Sequence, residues 1–405
     1  MVNTIAKIKK TQTTLKTSSI QDSYNQSAAL IGHNDDLLTE ILLRLPAASI
    51  FPFKSVSKHW RWLLSQTSFT HRYDDKPSKS PGLFVGNAYV PFDAENRSPP
   101  PFRTLDFCYD PRGIKILQSC NGLLLCCSNT LIIDDRKYYV FNPNTKQFAV
   151  IPPVPGVTKT LPIMVLAFHR TDCVPYKVVC IRRRLDKKCQ ILIYSSDTRN
   201  WKWADEELGC GPAHTPYQKV SIRSFSAQWP DDLNLVYWNK AIHYLCSTTF
   251  SKYLYFKVDD ERLLKSLPLR LPVSYSSFYD DPKPRTLYFG ESRGHLHLVA
   301  VPHRKNYLSL NVYEMWSDYS GWLVRYRVEL DEVARMYGSG FGFDVCDVVR
   351  GEKEEDTFMV LRIPGKIIKY NVHDKSFEEM FNLITNNLHG VSLEVHRYTE
   401  TLASV

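Results

Sequence analysis

A hairpin signature recurring at near-constant spacing constrains this chain more than any other feature in it. An aromatic residue ends an apolar run, a polar turn follows, and a large residue stands seven positions on. The copies are Phe141 to Phe148 (FNPNTKQF), Tyr194 to Trp201 (YSSDTRNW), Phe256 to Leu263 (FKVDDERL) and Tyr370 to Phe377 (YNVHDKSF). A fifth, Tyr313 to Trp322, is stretched by two residues, and successive copies begin 53, 62, 57 and 57 residues apart. Another apolar run precedes each copy: GLLLCC at 122–127, YKVVCI at 176–181, AIHYLC at 241–246, HLHLVAV at 295–301 and FMVLRI at 358–363. A single turn of this kind suits any β-sandwich. Repeats a little over 50 residues long, built from hairpins, suit the blades of a β-propeller, because one blade cannot bury its own faces. Dividing the roughly 320 residues that follow a different-looking N-terminal part by a ~57-residue step predicts about six blades, with irregular end units.

The chain ahead of the repeats has a different character. Residues 1–29 are rich in Thr, Ser, Lys and Gln and are expected to form a disordered tail. The segment holds no Arg, which argues against a transit peptide, and KIKK at 7–10 is too short to serve as a nuclear signal. From Asp35 to Leu45 the pattern predicts a helix, with Leu37, Leu38, Ile41, Leu42 and Leu45 on one broad stripe. Asn34 can cap it, Asp35 and Asp36 suit its positive end, Arg44 its negative end, and Pro46 stops it. A short helix at 47–54 and a third at 57–64 should follow, the third packing through Val56, Trp60, Leu63 and Leu64. Three helices in some thirty residues enclose too little interior for so many large apolar groups. Either the surplus caps the β-domain or it needs a partner surface.

Charge and cysteine usage narrow the function classes. The net charge is +9, but Lys7, Lys9, Lys10 and Lys16 lie in the tail. The densest basic cluster, Arg182, Arg183, Arg184, Lys187 and Lys188, sits between two apolar runs and reads as a solvated hairpin tip. Nucleic-acid binding needs a basic face, so nucleic acid is not the expected partner. The ten Cys lie mostly in apolar runs with no CxxC pair, which reads as reduced, buried thiols of a cytoplasmic or nuclear protein. Adjacent Cys126 and Cys127 should point to opposite faces of one strand. No run approaches the ~18 apolar residues of a membrane span, so no membrane partner is expected.

GESRG at 290–294 fits G-x-S-x-G, but a nucleophile elbow at Ser292 needs a helix after it, and HLHLVAV follows. Arg293-Gly294 therefore reads as a hairpin turn. His295 and His297 share one strand face, with His243 at a comparable place in its own repeat; a zinc site needs further ligands, so no metal is expected. GSGFGF at 338–343 lacks the dinucleotide fingerprint and reads as a loop. Asn25 and Asn96 lie in glycosylation sequons that matter only in the secretory path. No catalytic residue and no cofactor are expected. Trp201, Trp203, Trp238, Trp316 and Trp322 are expected in blade cores, and Trp62 on a different helix face from Trp60. The long loops at 205–218, 228–234 and 274–284 are the expected recognition surfaces.

Residues 35–69 resemble the F-box: Asp36-Leu37-Leu38, Glu40-Ile41-Leu42, Arg44-Leu45-Pro46 and Val56-Ser57-Lys58-His59-Trp60-Arg61 follow its order and spacing. Two departures stand out. His33-Asn34 replaces the usual Leu-Pro pair, and Pro52 stands inside helix two, where it is expected to shorten or kink it. SCNGLLLC at 119–126 and YYVFNPNTKQFAVIP at 138–152 resemble the plant F-box-associated domain. So do AFHRTDCVPYKVVCI, VYWNKAIHYL, SRGHLHLV, IPGKIIKYNVHDKSF and the closing RYTETLASV, which is expected to pair with early strands and close a ring. The resemblances imply an α+β multidomain chain: tail 1–29, three-helix F-box 30–73, connection and first strand 74–104, and a kelch-like, all-β propeller over 105–405. They imply a non-catalytic substrate-recognition subunit of a Skp–cullin–F-box ubiquitin ligase, bound to a Skp-type adaptor and through it to a cullin, with an unknown protein target. Adaptor contacts are expected at Leu37, Leu38, Ile41, Leu45, Pro46, Ile50 and Val56, with Leu42 and Trp60 in the F-box core. The alternatives are a propeller carbohydrate-binding module or enzyme with a helical cap, and an F-box protein acting outside a ligase.

Overall fold

The computed structural model of the protein describes residues 30–32, 34–74, 82–92, 105, 107–130, 132, 135–156, 162–170, 176–183, 189–204, 235–245, 252–260, 262–268, 285–301, 308–338, 342–386 and 394–405. The tail, His33, the Pro-rich segment at 99–101, both sequons and the three loops expected to recognise a partner lie outside these residues. The chain divides into two compact units with the boundary between Lys76 and Pro77. No helix among the described residues is long and apolar enough to cross a membrane.

Among its described residues the first unit holds, besides helical residues 30–32, four helices, one more than the sequence predicts: α1 (Asp35–Leu42), α2 (Ala47–Phe53), α3 (Lys58–Leu63) and α4 (Thr67–Asp74). The side chain of Asn34 accepts from Leu37 N at 3.0 Å and that of Ser57 from Trp60 N at 3.0 Å, so both α1 and α3 begin on capped amides. Pro52 lies inside α2, which ends one residue later, and Ser55 N and Val56 N then bond Pro52 O and Phe53 O in tighter turns. Helix two is thus short, as its proline demands. In α4, buried Phe69 and Tyr73 complete the interior, and Tyr73 Oη donates to Leu45 O at 3.2 Å.

The second unit is six sheets. Blade 1 is β3 (Ile114–Cys120), β4 (Leu123–Ser128), β5 (Tyr138–Asn142) and β6 (Gln147–Ile151). Blade 2 is β7 (Ile163–Ala167), β8 (Lys177–Arg183), β9 (Cys189–Ser195) and β10 (Asn200–Trp203). Blade 3 is β11 (Leu235–Trp238), β12 (Ala241–Leu245), β13 (Lys252–Lys257) and β14 (Arg262–Pro268). Blade 4 is β15 (Arg285–Ser292), β16 (His295–Val301), β17 (Ser309–Met315) and β18 (Trp322–Glu329), followed by helix α5 (Asp331–Tyr337). Blade 5 is β19 (Asp344–Val349), β20 (Phe358–Ile363), β21 (Lys366–Asn371) and β22 (Phe377–Asn382). Blade 6 joins the two ends of the unit, in the order β2 (Ala88–Pro91), β1 (Gly82–Val85), β23 (Val395–Tyr398). Strands β3, β7, β11, β15, β19 and β23 touch in succession and β23 touches β3 again, which makes them the inner ring of a six-bladed β-propeller.

The repeated hairpins are the outer strand pairs. Phe141 faces Phe148, Tyr194 faces Trp201, Phe256 faces Leu263 and Tyr370 faces Phe377 across β5–β6, β9–β10, β13–β14 and β21–β22. The stretched copy departs from this. A bulge between Val312 and Tyr313 shifts the register, so Tyr313 faces Val324 and Trp322 faces Met315. The apolar run ahead of each hairpin is the second strand of its blade, and its unbroken hydrophobicity follows from burial on both sides. Leu123, Leu125 and Cys127 pack toward blade 2, while Leu124 and Cys126 pack toward blade 6. The opposed placement expected for Cys126 and Cys127 is thereby observed. The same alternation splits β20: Met359, Leu361 and Ile363 face blade 4, and Phe358 and Val360 face blade 6.

Closure follows from the chain's ends. β23 pairs antiparallel with β1, Gly82 opposite Tyr398, as the closing RYTETLASV leads one to expect. Strands β1 and β2 lie in the stretch read as connection and first strand, and both belong to blade 6 of the ring. The Tyr398 ring sits edge-on to Phe84 and Tyr89, with centroids 5.7 and 5.8 Å away. Beyond β23 the chain crosses blade 1, where Asn142 Nδ2 donates to Ala403 O at 2.6 Å and Thr401 O at 3.3 Å. Gly122, at φ +97°, permits that crossing, because a Cβ there would lie 2.6 Å from Thr399 O.

Two other expectations change. Arg182 is not at a solvated tip: it is buried, donates to Pro155 O at 2.6 Å and Gln190 Oε1 at 3.0 Å, and its guanidinium lies 5.0 Å from the Trp203 ring centroid. Trp203 and Trp316 are exposed, while Trp238 and Trp322 are blade core and half-buried Trp201 packs against it.

Two predictions follow from this closure and burial. Asn142 and Asn371 cap the same turn, each accepting from the amides two and three residues on. Asn371 Nδ2 also donates, to Glu355 O at 2.8 Å, but at an exposed site. Asn142 is buried and donates to two carbonyls of the C-terminal segment, so in urea unfolding Asn142→Ala should cost about 1 kcal/mol more than Asn371→Ala. Equal costs would contradict the tie. Burial lowers the pKa of His243 to about 4 and that of His297 to about 3, the latter with Glu314 opposing and Arg350, Arg397 and His295 adding to the shift. Below about pH 6.5 the unfolded chain takes up protons these two rings refuse, so stability falls as pH drops from 6.5 toward 4. Among the described residues His297 has no hydrogen-bond partner on either ring nitrogen, so His297→Leu should flatten that slope by about 1.4 kcal/mol per pH unit while changing stability little at pH 7.5.

Candidate docking face and axial channel

The stripe of leucines on α1 divides in two. Leu38 and Leu42 point inward, 2% and 1% exposed, with Thr39 between them. Leu37 and Ile41, four residues apart and so one above the other, are 51% and 47% exposed. Of the residues expected at an adaptor contact, Val56 is 59% exposed, Pro46 is exposed and Leu45 is half-buried. Leu38 and Ile50 are interior side chains, Ile50 with 0% exposure, and cannot offer an apolar surface in this conformation. Leu42 is in the helical core as expected. Trp60 is half-buried, its ring 5.5 Å from Phe53, so it edges that core. Trp62 points elsewhere and is exposed, stacked at 6.3 Å on His59, whose Nε2 is 2.8 Å from Asp35 Oδ1. The His59–Asp35 pair and the Arg72–Glu40 pair are half-exposed, so each contributes at most about 1 kcal/mol. Leu37, Ile41 and Val56, together with Leu30, Ile31 and Trp62, are the large apolar residues left exposed among the described residues of this unit.

The sequence's chemical candidates resolve differently. Ser292 ends β15, is fully buried, and accepts from Arg350 N at 3.0 Å. Arg293 (φ 51°) and Gly294 (φ 78°) form a two-residue hairpin loop into β16, not the entry to a helix. His295 Nδ1 lies 2.7 Å from Glu314 Oε1, while the fully buried His297 keeps Nε2 3.7 Å from Glu314 Oε2. His243 Nε2 is 2.8 Å from Trp238 O. Among the described residues no group of three or more His, Cys, Asp or Glu is arranged to hold a metal ion.

One cluster was not anticipated. A cavity of about 240 Å³ opens among the inner strands, lined by residues of β3, β11, β15, β19 and β23. Its polar wall includes Gln118, Tyr288, Glu291, Asp347 and Arg397. Arg397 Nε donates to Asp347 Oδ2 at 2.7 Å, its Nη2 to Asp347 Oδ1 and, at 2.7 Å, to Val348 O. Tyr288 Oη donates to Asp347 Oδ1 at 2.8 Å. Glu291 Oε1 accepts from Gly294 N at 2.6 Å, and burial raises its pKa, with the Arg397 charge opposing. The sequence signal was present: Asp347 interrupts FDVCDVV and Arg397 interrupts EVHRY, charges inside short strand-like runs. In GESRG it is the Glu, not the Ser, that faces an opening.

Comparison with known proteins agrees with this architecture. The F-box domain family matches residues 33–70, and the family described as F-box protein At3g26010-like, beta-propeller matches residues 97–338. F-box protein At5g07610 of Arabidopsis thaliana is 28% identical over 390 residues, covering 88% of this chain and 87% of that protein. F-box protein At5g49610 of the same plant is 36% identical over 130 residues, 32% of this chain and 34% of that one. F-box protein At3g26010 is 28% identical over 207 residues, 47% of this chain and 46% of that one. With a capped helical unit ahead of a six-bladed ring, and with family matches to both, the chain belongs to the plant F-box proteins that carry an At3g26010-like β-propeller.

Proposed function

We propose that this protein is the substrate-recognition subunit of a Skp–cullin–F-box ubiquitin ligase, its helical unit docking on a Skp-type adaptor and its propeller holding a target protein. The reading is supported chiefly by the exposed Leu37–Ile41 stripe on a capped helix, a paired apolar anchor of the kind that helix-in-groove contacts use. Val56 and Pro46 extend the contact, and Leu38, Leu42 and Ile50 hold the helices that present it. The protein itself makes no bond. Its contribution is proximity: a target lysine tethered beside a charged ubiquitin-conjugating enzyme reacts at an effective concentration set by geometry, not by bulk concentration. Such a subunit works in the cytoplasm or the nucleus, where adaptor and cullin are found.

The test separates surface from core. Leu37→Asp combined with Ile41→Asp should weaken adaptor binding by at least about 30-fold, the loss expected of a central anchor, with unchanged circular dichroism. Leu42→Asp should instead unfold the helical unit. Co-purification of the adaptor with the double variant at wild-type yield would sink the assignment.

A further inference from the structure

The axial cavity is built, not left over. In three of the six inner strands a β-bulge stands immediately before the polar residue that faces it: the register shifts between Ile116 and Gln118, between Thr286 and Tyr288, and between Val345 and Asp347. A bulge re-aims the next side chain at the expense of ladder hydrogen bonds, and repeating it three times around one opening directs polar groups to a common centre. Gly290 serves the same end. A Cβ there would lie 1.9 Å from Tyr288 Oη, so only glycine lets that hydroxyl lie across β15 to reach Asp347.

The charges at this centre do not balance. Asp347 is satisfied, with Arg397 on both oxygens, the Tyr288 hydroxyl and Val348 N on Oδ1. Arg397 is committed to Asp347 by Nε and Nη2, and its Nη1 has no hydrogen-bond partner among the described residues. Glu291 has no ion-pair partner among them; its one hydrogen bond is from the Gly294 amide to Oε1. Two carboxylates thus share one guanidinium, and a half-buried carboxylate with no cation beside it is left to whatever enters the cavity for its compensation. The missing element is a positive charge beside Glu291, accompanied by an acceptor for Arg397 Nη1. The cavity has room for several waters or for one small molecule.

We propose that the axial cavity binds a small molecule carrying a primary ammonium group, with Glu291 as its counter-ion and Arg397 as donor to a polar acceptor on the same molecule. The site adds a ligand-binding function to the ring, and its occupancy ties β15, β19 and β23 together.

Three probes that differ in one terminal group test it on the full chain by titration calorimetry: 4-aminobutan-1-ol, butane-1,4-diol and 4-hydroxybutanoate. The amine should bind at one site, and the diol and the anion at least tenfold more weakly. Glu291→Gln, which removes the charge and keeps the shape, should lower amine affinity at least tenfold without lowering the thermal midpoint. Absence of amine binding, equal binding of the diol or the anion, or undiminished binding to the variant would overturn the proposal. Should Glu291→Gln fail to fold, the three-probe ranking on the unmodified chain decides alone.

Discussion

The antiparallel pairing of β23 with β1 is the contact on which the rest of the ring depends. It joins segments about three hundred residues apart, and the entropy of closing so long a loop grows only with its logarithm, so one short strand pair can support it. What it secures is far larger than itself. Leu83, Val85 and Val90 complete the core shared with blade 5, and Phe84 and Tyr398 complete the one shared with blade 1. Without β23, both neighbouring blades would expose a face that their alternating residues have made apolar. Asn142, reaching past the strand to the carbonyls of Thr401 and Ala403, holds the closing segment a second time.

Much of this architecture is legible in the sequence because propeller blades impose two simple distances. A two-strand hairpin with a four-residue turn fixes the seven-residue spacing, and burial between neighbouring blades makes second strands continuously apolar. The spacing misleads where backbone irregularity intervenes. At Tyr313 a bulge changes the partner, and composition carries no mark of a bulge. Blade 6 carries no copy of the hairpin signature, because a repeat split between two ends of a chain has no period to detect; it is expected only from the overall step count and the closing RYTETLASV.

The helical unit shows a different limit. Spacing of four places Leu38 with Leu42 and, equally well, Leu37 with Ile41. Helical periodicity identifies both stripes but not which one faces inward. The choice is made by what packs from elsewhere, here including α4, whose Phe69 and Tyr73 the three-helix expectation omits. The result assigns half the broad stripe to folding and half to exposure. A surface that is apolar yet not needed by its own core is what a docking function requires, and its cost in solubility is accepted only while a partner covers it.

The axial cluster joins the closure to the possibility of control. Arg397 belongs to β23, the strand that closes the ring, while Asp347 and Glu291 come from β19 and β15. The guanidinium is therefore in place only when the ring is shut. A ligand held between Glu291 and Arg397 binds the closed ring and not the open one, and by mass action it stabilises closure in proportion to the logarithm of its saturation. The loops that connect outer and inner strands are fixed at their ends by the same blades. Occupancy of the axis would favour the paired state of β23, the strand that completes the cores on either side of blade 6.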